Sequence, residues 1–378
     1  MKTSALHRSN QYGLTLVELM FAATIAVGVV AAGLAVVSSF EKSNATTGQT
    51  GETQQNVRNA MEMIARDIRQ AGFGSIGAVG NCPTAIVPQD NNVAGPDAGP
   101  DRISLIVPLG NPVGTVTRPP WLLQGAVGPG FNAVTLASVQ AVTDMTTEWG
   151  NGGLLGATIS VAGSATASVT GVGGSTIAIT PIPAPVAFGA NTPVYLLQCI
   201  TYQIIPPPDI NNLCDGRFPC LVRGVGTGGL NCDTPNSRCI SIADEIEDIQ
   251  FAYACDGCNL GLNGGIPDGI IDDQAGSQAG FDQMDFISNN GWALGQMTPD
   301  KISLVQVNIV GRERFVDQGF GEGIVANRIV QAQPLQISDH NHVAGLFAAG
   351  DLAGLNPPYA STRRRMFTRT IEVRNPGR

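Results

Sequence analysis

Between Leu14 and Phe40 the chain reads LTLVELMFAATIAVGVVAAGLAVVSSF, 27 residues in which Glu18 is the only charge and Thr15, Thr24, Ser38 and Ser39 the only other polar side chains. An apolar helix of that length spans the hydrocarbon core of a bilayer. An acid near the centre of such a helix costs about 2.5 to 3.5 kcal/mol. Glu18 therefore belongs near an interface or beside a partner.

A cut after Gly13 would supply that partner. It makes Leu14 the amino terminus and puts its ammonium one helical turn from the Glu18 carboxylate. Opposite charges about 4 Å apart attract by roughly 4 kcal/mol at an effective dielectric near 20, and the first turn of a helix also favours an acid. The leader Met1–Gly13 carries Lys2 and Arg8, which places it on the cytoplasmic side and everything beyond Phe40 outside. An ordinary signal anchor or secretory signal needs the apolar core but no acid here, and a secretory signal is cut after its core.

The 378-residue chain leaves ample length for a globular head after this segment. Without its leader it has 19 basic and 30 acidic residues, net −11, a balance that argues against a nucleic-acid surface. With 47 Gly, 24 Pro and 6% aromatics, turns and short strands are expected over a helical bundle.

All eight cysteines, Cys82, Cys199, Cys214, Cys220, Cys232, Cys239, Cys255 and Cys258, follow the apolar segment. An even count in an exported head reads as disulfides. Spacing leaves the pairing open, with the short loops Cys214–Cys220 and Cys232–Cys239 the foremost local pairs. The competing reading is a zinc site built from Cys255-x-x-Cys258 with Cys232 and Cys239.

Small residues at helical spacing, Ala22 with Ala26 and Gly28 with Ala32, would let neighbouring helices approach closely. After Phe40 the chain turns polar, with Gly48 and Gly51 as weak points. Helical periodicity resumes at Val57, Met61, Ile64, Ile68 and Ala71, with Arg58, Glu62, Arg66 and Arg69 off the stripe and Gly72 and Gly74 ending it. Continuous from Leu14 to Gln70, the helix would be about 85 Å long. Arg102–Val107 is a strand candidate, and 131–200 alternates β-branched runs with turns, the pattern of an antiparallel sheet. The Gly/Ala/Ser/Thr richness of 150–175 also fits a flexible insertion. Residues 206–240 form a Pro- and Cys-rich excursion, and Ile246–Ala254 and Lys301–Gly311 read as further strands.

Two motifs carry a resemblance. Gly13 followed by LTLVELM is similar to the processing site of the type IV prepilin family, with Leu14 where Phe is usual. NVRNAMEMIARDIRQAGF, together with Arg363–Asn375 at the end of the chain, resembles PilW-like minor pilins, and pseudopilin J of type II secretion has a looser version of the helix ending. The resemblance implies a prepilin peptidase that cuts between Gly13 and Leu14 and N-methylates Leu14, with Glu18 pairing to that amine during assembly. It implies an α+β, type IV pilin-like fold: leader 1–13, apolar helix 14–40, amphipathic helix 41–74, and a β-rich, disulfide-stapled head 75–378. It further implies a single-pass inner-membrane protein with a periplasmic head, later part of a pilus. The partners would be other minor pilins, the major pilin and the membrane assembly platform. A pseudopilin J-like secretion subunit, or a tip module binding a surface or DNA, are the alternatives.

Other constellations are weaker. Asp268, Asp272 and Asp273 around Gly269 resemble part of a calcium loop, but an EF-hand register puts Gly264 and Ile266 where oxygen donors belong. A solvated acidic hairpin, with no cofactor, is the better expectation. His340 and His342 beside Asp339 read as a polar turn. Arg363, Arg364 and Arg365 are the densest basic patch, expected to face solvent or an acidic neighbour. No nucleophile, general base or phosphate loop stands in a recognisable setting, and the chain reads as not an enzyme.

Overall fold

The structure is a computed structural model that describes residues 15–74, 77–89, 100–109, 121–150, 153–183, 185–207, 209, 212–225, 232, 238–256, 271, 286, 299–314 and 362–374. Helix α1 runs unbroken over Leu16–Gln70, 55 residues or about 83 Å. Gly48 and Gly51 do not interrupt it. Each costs about 1 kcal/mol relative to Ala, an amount the long flanking helix absorbs. At Ala71 the backbone turns extended. Gly72 and Gly74 then take positive φ values of 74° and 68°. A side chain on Gly74 would collide with Ser160 and Gly163, so this turn lies hard against the head.

Among the described residues the head contains two antiparallel sheets. The first contains β1 (Ile86–Gln89), β2 (Arg102–Leu109), β3 (Trp121–Leu122), β4 (Ala133–Thr135), β5 (Thr158–Val161), β6 (Ala165–Gly173), β7 (Thr176–Ile179), β8 (Pro193–Ile205), β9 (Cys220–Val225) and β10 (Cys239–Asp244). The second is β11 (Ile246–Cys255), β12 (Ile302–Arg312) and β13 (Arg364–Glu372). Strand β8 is the spine of the larger sheet. Its start pairs with β3 and β5, and its end with β9, while β2 runs beside Leu196–Tyr202.

That spine joins two cores. In the first, Val57, Met61, Ile64, Ile68 and Ala71 of α1 pack with Leu105, Ile200, Tyr202, Phe251 and Val307, drawing on both sheets. Asp101 helps to hold the sheets together: its N–H donates to the Ile249 carbonyl at 2.8 Å, and its carboxylate accepts the Phe251 N–H at 2.9 Å. The second core belongs to residues 121–196 and includes Leu123, Trp149, Ile159, Ile177 and Leu196.

The strands expected at Arg102–Val107, Ile246–Ala254 and Lys301–Gly311 are present, as are strands at the end of the chain and across 150–175, where a flexible insertion was the other reading. The all-strand reading of 131–200 is corrected by helix α2 (Val139–Trp149). Its buried Val142, Met145 and Trp149 are spaced three and four apart, Ser138 caps its start, and Gly150, at φ 69°, ends it. Thr and Ala at intervening positions muted the helical pattern. Cys82–Cys199, Cys214–Cys220 and Cys232–Cys239 are disulfides. The last two are the expected local pairs.

Gly311 of β12 marks where α1 meets the smaller sheet. A Cβ there would lie 2.5 Å from Val57 Cγ2 and 2.9 Å from Thr53 Cγ2, and a β-branched helical side chain has little freedom to withdraw. Gly311→Ala should therefore lower stability by about 1–3 kcal/mol, read as a reduced urea midpoint in detergent micelles.

Candidate functional site

The candidate site is α1 itself, because it lives in two environments. From Leu16 to Val37 its side chains stand exposed, Leu16 at 76% and Val27 at 69%. From Thr53 onward one face is buried, with Val57, Ile64 and Ile68 fully covered. The apolar half has the length and composition to cross a membrane.

At the start of the helix Thr15 and Glu18 form a capping box. The Thr15 N–H and hydroxyl both donate to Glu18 Oε2 at 3.0 Å, and the Glu18 N–H returns a bond to the Thr15 hydroxyl at 3.2 Å. Gly13 and Leu14 lie outside the described residues, so the expected amine is not part of this geometry. Thr15 is a partner that the sequence reading did not give Glu18. The carboxylate is held at the helix start through Oε2, which leaves Oε1 without a partner among the described residues.

The buried half is fastened at two levels. Near its middle, the Thr50 hydroxyl donates to Glu313 Oε1 at 2.6 Å, and the Thr53 hydroxyl to the Arg312 carbonyl at 3.4 Å. Near its end Asp67, 3% exposed, accepts from the Tyr202 hydroxyl at 2.7 Å and from Arg223 Nε at 2.9 Å. Burial, and then the Asp67 charge, push the Tyr202 phenol well above its ordinary pKa, so it remains a donor. Burial works against the Arg223 charge too, but Asp67 and Tyr202 together outweigh it and move the guanidinium's pKa up. Glu62 and Arg369 add an exposed pair at 2.7 Å, of the kind worth 0–1 kcal/mol.

Tyr202 and Arg223 were not singled out from the sequence, and Asp67 stood there only as part of the ARDIR run. The available signal was an acid beside Ile68, on the face that the apolar stripe buries. The basic patch needs correction as well: Arg364 is 6% exposed and grips Glu247 through both Nε and Nη2. It is an internal fastener rather than a surface cation. Among possible metal ligands, Cys214, Cys220 and Asp244 come within 4.8 Å of one another, but the two sulfurs are joined to each other. Cys232 and Cys239 are likewise bonded together, which removes two thiolates from the zinc alternative. Cys255 is disulfide-bonded. Cys258, Asp268, Asp272, Asp273, Asp339, His340 and His342 lie outside the described residues.

No protein-family model matches the chain, and no curated protein matches it. Among solved structures, a type IV-like pilin from Thermus thermophilus aligns with a TM-score of 0.32 and 10% identity, covering 85% of this chain and 97% of that one.

Asp67→Asn keeps the side chain's size but removes the charge facing Arg223. Loss of one partner from a buried pair typically costs about 3–5 kcal/mol, so the variant should unfold at markedly lower urea with an unchanged slope.

Proposed function

We propose that the chain is a type IV prepilin-like subunit and, more narrowly, a PilW-like minor pilin. The observation that carries this reading is the division of α1: an apolar half left bare, whose only acid is Glu18, and an amphipathic half clamped into a disulfide-stapled, antiparallel head. A bare apolar rod needs lipid before assembly and other helices after it. Gly13-Leu14 supplies the processing site, with a prepilin peptidase removing Met1–Gly13 and methylating the Leu14 amine. Before assembly the chain is anchored in the inner membrane with its head in the periplasm. The subunit then joins other minor pilins and the major pilin at the assembly platform, priming or capping the filament.

The capping box fits this role. Thr15 keeps its amide after the cut, so Oε2 remains occupied while Oε1 is available to a terminal ammonium, from the same chain or a neighbour. A second reading, a tip module that binds a ligand, is favoured by the separate core of residues 121–196. From 121 to 198 the chain carries only two charges, Asp144 and Glu148, so a ligand of this region would be recognised without ion pairing.

Deleting the gene and measuring surface pilin sheared from the cells tests the reading. A collapse restored by complementation supports a priming minor pilin. Normal pili with a lost secreted enzyme would instead assign the chain to a type II secretion tip, as a pseudopilin J-like subunit. Normal pili with lost adhesion or transformation would assign it to the binding module. Glu18→Ala should be cleaved normally, with Leu14 as the amino terminus by mass spectrometry, yet be depleted from sheared pili. Normal incorporation would remove the charge-pairing step.

A further inference from the structure

The Cys214–Cys220 ring lies next to the place where α1 enters the head. We infer that this ring is a redox-set clasp: when oxidised, it holds the strand end that grips the middle of α1, and in the reduced chain that grip is loosened. The inference concerns a conformational device in the head and stands whether or not the chain assembles into pili.

The disulfide closes a ring over residues 214–220. The Asp209 carboxylate accepts the Cys214 N–H at 2.7 Å, and Asp215 accepts the Arg217 N–H at 2.8 Å. The ring's fold presents Phe218 and Asp215 to the chain just after β12. The Arg312 guanidinium lies 5.2 Å and that of Arg314 5.3 Å from the Phe218 ring centre, both within cation–π range. Arg314 also meets Asp215 at 3.5 Å and Glu245 at 2.6 Å. One aromatic ring and one carboxylate of the loop thus engage two cations of a three-residue segment.

That segment is the seat of α1. Arg312 offers its carbonyl to Thr53, Glu313 its carboxylate to Thr50, and Gly311 lies against Val57. The Arg312 N–H donates to the Glu245 carbonyl at 2.9 Å, which ties the end of β12 to the residue before β11. Burial depresses the Arg312 guanidinium's pKa, and a desolvated cation is where an aromatic face contributes most. The seated helix residues, Thr50 and Thr53, flank the exposed Gly51, where intrinsic helix propensity is weak. A loss of grip would register there first.

The ring closes when the two thiols give up two electrons and two protons to a disulfide oxidant, which leaves as a dithiol after exchange through a mixed disulfide. In an exported head that exchange follows translocation, so α1 would be gripped in its middle only once the head is outside. This timing rests on the export reading; the clasp itself does not.

Hydrogen–deuterium exchange on the full chain in detergent micelles tests the clasp. In Cys214→Ser/Cys220→Ser, amides of residues 46–57 should exchange about tenfold faster, while residues 121–196 keep their protection. Phe218→Ala should reproduce the effect with the disulfide intact, and Phe218→Leu, which keeps apolar bulk without a ring face, should give a smaller change at the same place. Cys232→Ser/Cys239→Ser should leave 46–57 unchanged. Unchanged exchange at 46–57 in the Cys214/Cys220 variant would overturn the inference. So would an equal rise across the whole head, or full protection of the helix in both Phe218 variants.

Discussion

Everything in this protein depends on one helix being asked to satisfy two surroundings. From Leu16 to Val37 the apolar side chains of α1 stand exposed among the described residues. From Thr53 one face of the same rod forms part of the head's core. Backbone hydrogen bonding is satisfied within a helix in either medium, which is why this element can pass from one to the other without a break. A strand could not do so with unpaired edges.

Magnitudes separate what holds the helix in the head from what sets its register. Burying Val57, Met61, Ile64 and Ile68 contributes about 1.5–3 kcal/mol apiece, as upper estimates, whereas exposed Glu62–Arg369 contributes at most about 1 kcal/mol. The apolar stripe therefore supplies the attraction. Asp67 adds selectivity instead: slide the helix by one turn and its carboxylate leaves Arg223 and Tyr202, with a buried charge uncompensated. Gly311 sharpens this further, since its missing side chain fits Val57 and Thr53 at one height only.

Strand β8 extends the arrangement outward. Ile200 and Tyr202 belong to the helix core and Val194 and Leu196 to the second core, so a continuous strand couples the two while α1 seats mainly in the first. Cys82–Cys199 pins the middle of that strand to the segment following the helix. The head thus offers a nearly charge-free lobe whose own core lies beyond that of the helix and which, among the described residues, meets α1 only at its closing turn.

The α1 pattern was legible because its signals are local. Apolar length, the stripe at three- and four-residue spacing and the glycines at 72 and 74 each depend on neighbours in sequence, as do the short cysteine loops that pair as spacing favours. Helix α2 was missed because its threonines dilute the helical period and its caps are single residues. The structure assigned Asp67 to Arg223 and Tyr202, Arg364 to Glu247 and Phe218 to two guanidiniums, pairings that join residues up to 156 positions apart. No periodicity encodes such meetings. They exist because strand register and helix height bring those side chains together, and a charge taken out of water must then find a partner there.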